Sequence, residues 1–144
     1  MTAKRNIHHL VAIILAISLS FSFMTIMAEA KASDYIASYS AYMNADGSGK
    51  VSAWFTISGL GTMDEIGAIT ITIYEVNGGS ETAVKTYQWS QNPGMLGTNK
   101  GYHSGNVSYS GVAGRQYYAS VYLYAGKGGK GDTRRVETTK ITAT

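Results

Sequence analysis

The chain has no cysteine and a single proline, Pro93. Without cysteine it forms no disulfide, no thiolate metal site and no thiol redox centre. Its hydrophobic core must therefore hold the domain alone. Charge is scarce as well: Asp, Glu, Lys and Arg make up 15% of the residues, and the formal net charge is +3. That excess is too small and too scattered to argue for a nucleic-acid partner. Histidine is almost missing beyond residue 30, where only His103 is found. A catalytic triad or a histidine-based metal site would have to be built around that one ring. No amphipathic helix of three turns and no second long apolar run follows residue 30.

The one long apolar run lies at the start. Lys4 and Arg5 precede it, it extends from Leu10 to Met27, and it ends in Ala28-Glu29-Ala30. Signal peptidase accepts small side chains one and three residues before the cut, and Ala30 and Ala28 supply them. Residues 1–30 are therefore expected to be a signal peptide, an N-terminal signal helix cleaved between Ala30 and Lys31. The rival is an uncleaved membrane anchor, since a spanning helix needs about 20 residues. Ser18, Ser20 and Ser22 dilute the run, and the Ala-Glu-Ala exit favours cleavage. Residues 31–144 then form a single domain, secreted and extracellular. It meets the membrane only through the signal peptide before cleavage.

What the mature region has in quantity is glycine, with 17 in the chain, and tyrosine, with 11. Short strands joined by tight turns need that mixture. Val51, Ala53, Phe55 and Ile57 alternate with Ser52, Trp54, Thr56 and Ser58. Ile69, Ile71 and Ile73 alternate with Thr70, Thr72 and Tyr74. Tyr117, Ala119, Val121, Leu123 and Ala125 alternate with Tyr118, Ser120, Tyr122 and Tyr124. A period of two predicts strands with one buried face. Weaker patterns at 35–43, 83–89, 103–109 and 134–142 bring the strands to seven. Turn signals separate several of them, at Asp46-Gly47-Ser48-Gly49, Asn77-Gly78-Gly79-Ser80, Gly111 to Gly114 and Gly126 to Gly131. The expected class is all-β, as a two-sheet sandwich.

Gly111-Val112-Ala113-Gly114-Arg115-Gln116-Tyr117, running into Ala119, Val121 and Leu123, resembles the sixth strand of immunoglobulin-like and fibronectin-III-like sandwiches. The resemblance implies a seven-stranded sandwich of that kind. It also implies a tyrosine corner, in which the Tyr117 hydroxyl bonds back to the preceding loop. The antibody branch is excluded, because its disulfide pair is absent. Residues 34–142 are also similar to a group of small secreted β-sandwich proteins of Gram-positive bacteria. The matching stretches are Gly61-Thr62-Met63-Asp64, Ile66-Gly67-Ala68, Gly101-Tyr102-His103-Ser104-Gly105 and Tyr124-Ala125-Gly126-Lys127. That likeness implies export and a sandwich, and no activity.

The candidate chemistry is sparse. Ser104 follows His103 directly, but neighbours on a strand point to opposite faces and cannot pair. Asp64, Glu65 and Asp132 fall in loops, and no carboxylate pair shares a motif. His103 is therefore expected to pack or hydrogen-bond locally, and no catalytic residue is assigned. Asn44-Ala45-Asp46-Gly47-Ser48-Gly49 matches the first half of a calcium loop. The twelfth position, which should be glutamate, is Phe55. A hairpin turn explains the same residues, so no metal and no cofactor is expected. Gly126-Lys127-Gly128-Gly129-Lys130-Gly131 is not a phosphate loop, because a strand follows it and not a helix. It reads either as a hairpin tip or as an anion-contacting loop in which Lys127, Lys130, Arg134 and Arg135 meet a wall polymer or a partner.

The aromatic pattern is the remaining clue. With the aliphatic residues facing the core, Tyr74, Tyr118, Tyr122 and Tyr124 are expected to share one outward face with Thr70 and Thr72. Trp54 points outward on another strand, and Tyr87 and Trp89 are expected to extend the tyrosine face. Such a face either stacks on sugars or simply shields strands. Three function classes follow. The first is a secreted binding module for a cell-surface glycan or protein. The second is a structural, self-associating product. The third is a hydrolase, which the meagre catalytic inventory ranks last.

Overall fold

A computed structural model describes residues 32–144. The signal peptide at 1–30 and its cleavage before Lys31 lie outside the described residues. Seven strands follow in order: β1 (Ile36–Gly47), β2 (Lys50–Asn77), β3 (Ser80–Gln88), β4 (Leu96–Ser110), β5 (Gln116–Lys127), β6 (Lys130–Glu137) and β7 (Ile141–Thr142). A 3-10 turn at Pro93–Met95 precedes β4. The class is all-β, and every pairing is antiparallel. The strands form one curled sheet.

The curl depends on β2, and here the strand boundaries differ from expectation. Residues 51–58 and 69–74 are not separate strands but parts of one strand of 28 residues. The segment between them stays extended while its pairing slips. The register against β4 shifts between Ser58 and Met63, and against β5 between Ala68 and Thr70. Such bulges bend a strand without ending it. Gly67 lies in the bend with φ +153°, and a Cβ there would fall 2.2 Å from the Met95 carbonyl oxygen. Only glycine lets the β4 entry pass so close. The opposite error occurs at the end of the chain, where 134–142 is two strands, β6 and β7. Thr138 bridges the gap: its amide donates to the Ala119 carbonyl and its hydroxyl accepts the Ala119 amide.

The first half of β2 lies between β1 and β4, and the second half between β3 and β5. The alternating aliphatic residues of both halves meet in one core. Val51, Phe55 and Ile57 come from the first half and Ile66, Ile71 and Ile73 from the second, joined by Val121 and Leu123 of β5. Each such side chain contributes roughly 1.5–3 kcal/mol by leaving water. A one-residue slip would expose several at once, so the register is fixed. The curl leaves two outward faces, one on β1, β2 and β4 and one on β3, β2, β5 and β6.

Candidate binding faces

The expected tyrosine face lies on the second half of the sheet. Val121 is fully buried and Tyr122 is 38% exposed, so the aliphatic set faces inward. Tyr74 and Tyr118 are directly opposite on β2 and β5, and their rings stack with centroids 4.9 Å apart and planes 10° apart. Tyr118 is not an open surface, however, and this corrects the expectation. It is only 8% exposed. Its hydroxyl donates to Glu81 Oε2 at 2.8 Å, and Lys140 Nζ stands 5.6 Å from its ring centroid. Lys140 also bonds Glu81 Oε1 at 2.7 Å, closing a three-residue cover. Burial, and then the Glu81 bond, push the Tyr118 phenol up to about 12. Lys140, and then the Tyr118 hydroxyl, hold Glu81 below the usual carboxylate range. Arg135 stands over the Tyr122 ring at 5.8 Å. The tyrosine face is thus roofed by paired charges along much of its length.

Tyr124 turns toward the β5–β6 hairpin. Cβ atoms at Gly126 and Gly131 would fall within 2.1 Å and 2.6 Å of its ring or hydroxyl, so both glycines make room for it. The hairpin tip is a tight turn with positive φ at Gly128 and Gly129. Asp64 pins it by accepting the Gly128 amide at 2.7 Å. Lys127 and Lys130 are opposite each other across the tip. Arg134 and Arg135 are consecutive on β6 and point to opposite faces. The four cations therefore do not form one patch. An open groove of about 580 Å³ beside the hairpin is lined by both acidic and basic groups, among them Asp64, Glu65 and Lys127.

His103 is a packing residue. Its Nε2 donates to the Gly94 carbonyl at 2.9 Å, and its ring tilts against Phe55. Asp46, in the β1–β2 turn, accepts a short bond from the Ser52 hydroxyl. No group of three His, Cys, Asp or Glu side chains that could hold a metal occurs among the described residues. Tyr87 does not extend the tyrosine face, which is a second correction. It is opposite Ile71 and so points to the core side, where its hydroxyl donates to the Ser108 carbonyl at 2.5 Å. Trp89 lies just past β3 and is exposed.

The more open aromatic surface is on the other half of the sheet. Tyr42 of β1 is directly opposite Trp54 of β2, which is opposite Asn106 of β4. The Tyr42 and Trp54 rings are parallel to within 4°, with centroids 6.3 Å apart. That separation is too large for face-to-face contact, so the rings are displaced sideways and present adjacent parallel faces. The flanking rows bear hydroxyls and one amide: Ser40, Thr56 and Ser104 on one side, and Asn44, Ser52 and Ser108 on the other. Ser40 bonds Thr56 at 2.8 Å, and Ser52 bonds Ser108 at 2.9 Å. Beyond the first row lie Ser38, Ser58 and Tyr102, the last 54% exposed. No Asp, Glu, Lys or Arg occurs within 38–44, 52–58 or 102–108. Among the described residues, the buried Trp54 Nε1 has no hydrogen-bond partner. Alternation alone sets Trp54 facing outward, but its pairing with Tyr42 depends on the β1 register, which the sequence does not display. No family model, curated protein or solved structure matches the chain.

Proposed function

We propose that this is an exported, non-enzymatic binding domain that takes a neutral cell-surface glycan on the outer face of β1, β2 and β4. The observation that carries the reading is the parallel Tyr42–Trp54 pair set among rows of hydroxyl and amide side chains. A pyranose ring has an apolar C–H face and a rim of hydroxyls. The negative face of an aromatic ring attracts the former, and serine and threonine hydroxyls bond the latter. Asp46, bonded to the Ser52 hydroxyl, puts a negative charge at the turn end of the face, which disfavours an anionic polymer. The unpaired Trp54 N–H is a donor that a sugar hydroxyl can satisfy after a small ring shift, and leaving it unmet costs about 1–3 kcal/mol. The apolar start of the chain supports export with cleavage before Lys31. The likeness to small secreted proteins of Gram-positive bacteria supports export as well. We read the curled sheet as an immunoglobulin-like or fibronectin-III-like sandwich, supported by the bond between Tyr117 and Val112.

The test is calorimetric titration of soluble neutral polysaccharides into the purified protein, with tryptophan emission followed in parallel in a Trp89→Phe background. Binding should shift the Trp54 signal, and Trp54→Ala should abolish binding in a protein that still unfolds cooperatively, at a lower melting temperature because the ring is half-buried. Full binding by Trp54→Ala would overturn the assignment.

A second reading, self-association, has one observation in its favour. β1 pairs with β2 alone, and its residues 36–45 carry no charge and no proline. Two other edges are better defended, β3 by Lys85 and a bulge and β6 by its charges, whereas the β4 edge is also uncharged over 101–110. Light scattering across a concentration series separates the two readings, because a pure binding module stays monomeric.

A further inference from the structure

The glycan face continues over the β4 edge into a notch of about 410 Å³ between β4 and the β3–β4 connection. Asn106 belongs to both, since it extends the Tyr42–Trp54 row and lines the notch. The inner wall of the notch is apolar, formed by the buried side chains of Met95 and Val107. Its polar groups are primary amides. Asn92 spends its Nδ2 on the Gln88 carbonyl at 3.0 Å, which leaves its Oδ1 as an acceptor. Asn106 is exposed and offers both donor and acceptor. The Tyr87–Ser108 bond fixes another wall by tying β3 to β4, which do not otherwise pair. None of the lining residues is charged. Lys85 stands over the Tyr87 ring, its Nζ 5.6 Å from the centroid.

An apolar wall with amide donors and acceptors at its rim complements an acetamido group. The methyl meets Met95 and Val107, the N–H meets an asparagine oxygen, and the carbonyl meets Asn106 Nδ2. A plain hydroxyl at that position could bond the amides but would leave the apolar wall unfilled, so it would gain less. A carboxylate would find no counter-charge in the lining. The volume sits at the low end of the roughly 300–1,000 Å³ usual for small-molecule pockets. That is room for one substituted sugar, not for an added strand.

We propose that this notch is an acetamido pocket, and that the glycan recognised by the face is a polymer containing N-acetylated hexosamine. The inference rests on the reading of the Tyr42–Trp54 face as a glycan surface. The experiment compares two β-1,4-linked hexasaccharides, chitohexaose and cellohexaose, which differ in the acetamido group. The purified protein should bind chitohexaose at least tenfold more tightly. Asn106→Ala should bring chitohexaose down to the level of cellohexaose, and Trp54→Ala should lose both. Equal affinity of the unaltered protein for the two sugars overturns the acetamido pocket and leaves the glycan face standing. Binding of neither sugar, or of any neutral polysaccharide, overturns the glycan face itself.

Discussion

The hydroxyl of Tyr117 accepts the backbone N–H of Val112 at 2.9 Å and donates to Glu75 Oε2 at 3.0 Å. One oxygen therefore ties the start of β5 to the loop before it and to β2. The ring is fully buried and lies against Tyr109. Tyr117→Phe keeps the ring and removes the tie, leaving a backbone donor and a carboxylate each short of a partner. The expected loss is about 1–3 kcal/mol in urea unfolding. Tyr122→Phe, at an exposed hydroxyl, should cost less than about 0.5 kcal/mol. Equal and negligible effects would remove the corner from the stability argument.

Gly67 offers a sharper test of the bend in β2. It combines φ +153° with backbone atoms of Met95 and Leu96 within 3 Å of any added Cβ. Those obstacles are main chain and cannot swing aside. Gly67→Ala should destabilise by roughly 3 kcal/mol or more, at or beyond the upper end of ordinary overpacking. Gly78→Ala, in an open turn with nothing near its Cβ, serves as the control. It should lose only the roughly 1–2 kcal/mol of a left-handed alanine. A smaller loss at Gly67 than at Gly78 would mean that β4 does not enter over the bend.

These two sites also mark how far the sequence can be read. The alternation at Val51–Ile57, Ile69–Ile73 and Tyr117–Ala125 identifies the core-facing residues directly, because a period of two depends only on the local chain. The stretch from Gly59 to Gly67 looks like a break, since its glycines and acids interrupt that period. It stays in strand through pairing of Met63, Glu65, Ile66 and Gly67 with Lys100, Thr98, Gly97 and Leu96 of β4, partners remote in sequence, and that pairing leaves no local mark. Tyr118 shows the same limit from the other side. Its outward direction follows from alternation, but its cover comes from Glu81 and Lys140, which are remote in sequence. Trp54 is legible as outward-facing. Its stacking on Tyr42 is not, because β1 carries too little alternation to fix its register.

The Glu81–Tyr118–Lys140 cover makes stability depend on pH at both ends. Glu81 is held below its ordinary 4.5, first by Lys140 and then by Tyr118. A lowered carboxylate contributes stability that is fully present above the unfolded value and is lost as pH falls through the folded one. Tyr118 is raised from 10.0 to about 12, chiefly by burial. Its contribution is fully present below pH 10 and is lost as pH rises toward 12. Glu81→Gln should therefore make the acid side of a plot of urea midpoint against pH shallower without flattening it, because Asp132 is also lowered. Tyr118→Phe should make the alkaline side shallower without flattening it, because Tyr87 and Tyr117 are also raised by burial. An alkaline side unchanged in Tyr118→Phe would show that the cover does not act on stability.

The last prediction concerns the start of the mature chain. Ser33 forms a small clasp: its hydroxyl accepts the Ile36 amide at 2.7 Å and donates to Asp132 Oδ2 at 2.6 Å. The same carboxylate oxygen accepts the Asp34 amide at 2.8 Å. These bonds, led by that from Ser33, hold Asp132 below its ordinary 3.8. The clasp ties the entry of β1 to β6, which share no strand pairing. Cleavage between Ala30 and Lys31 spares it, whereas a cut a few residues later would destroy it. Intact mass of the exported protein should therefore give a chain beginning at Lys31. A version beginning at Tyr35 should melt a few degrees lower, the scale expected for losing a small set of hydrogen bonds in a domain of this size. Asp132→Asn in the longer chain should lower the melting temperature at neutral pH. The difference should begin to close as pH falls below 3.8 and vanish once pH passes the lowered folded value, where the carboxylate of the parent protein is protonated as well. A full-length exported chain, or equal melting of the Lys31 and Tyr35 forms, would contradict this account of the N-terminal boundary.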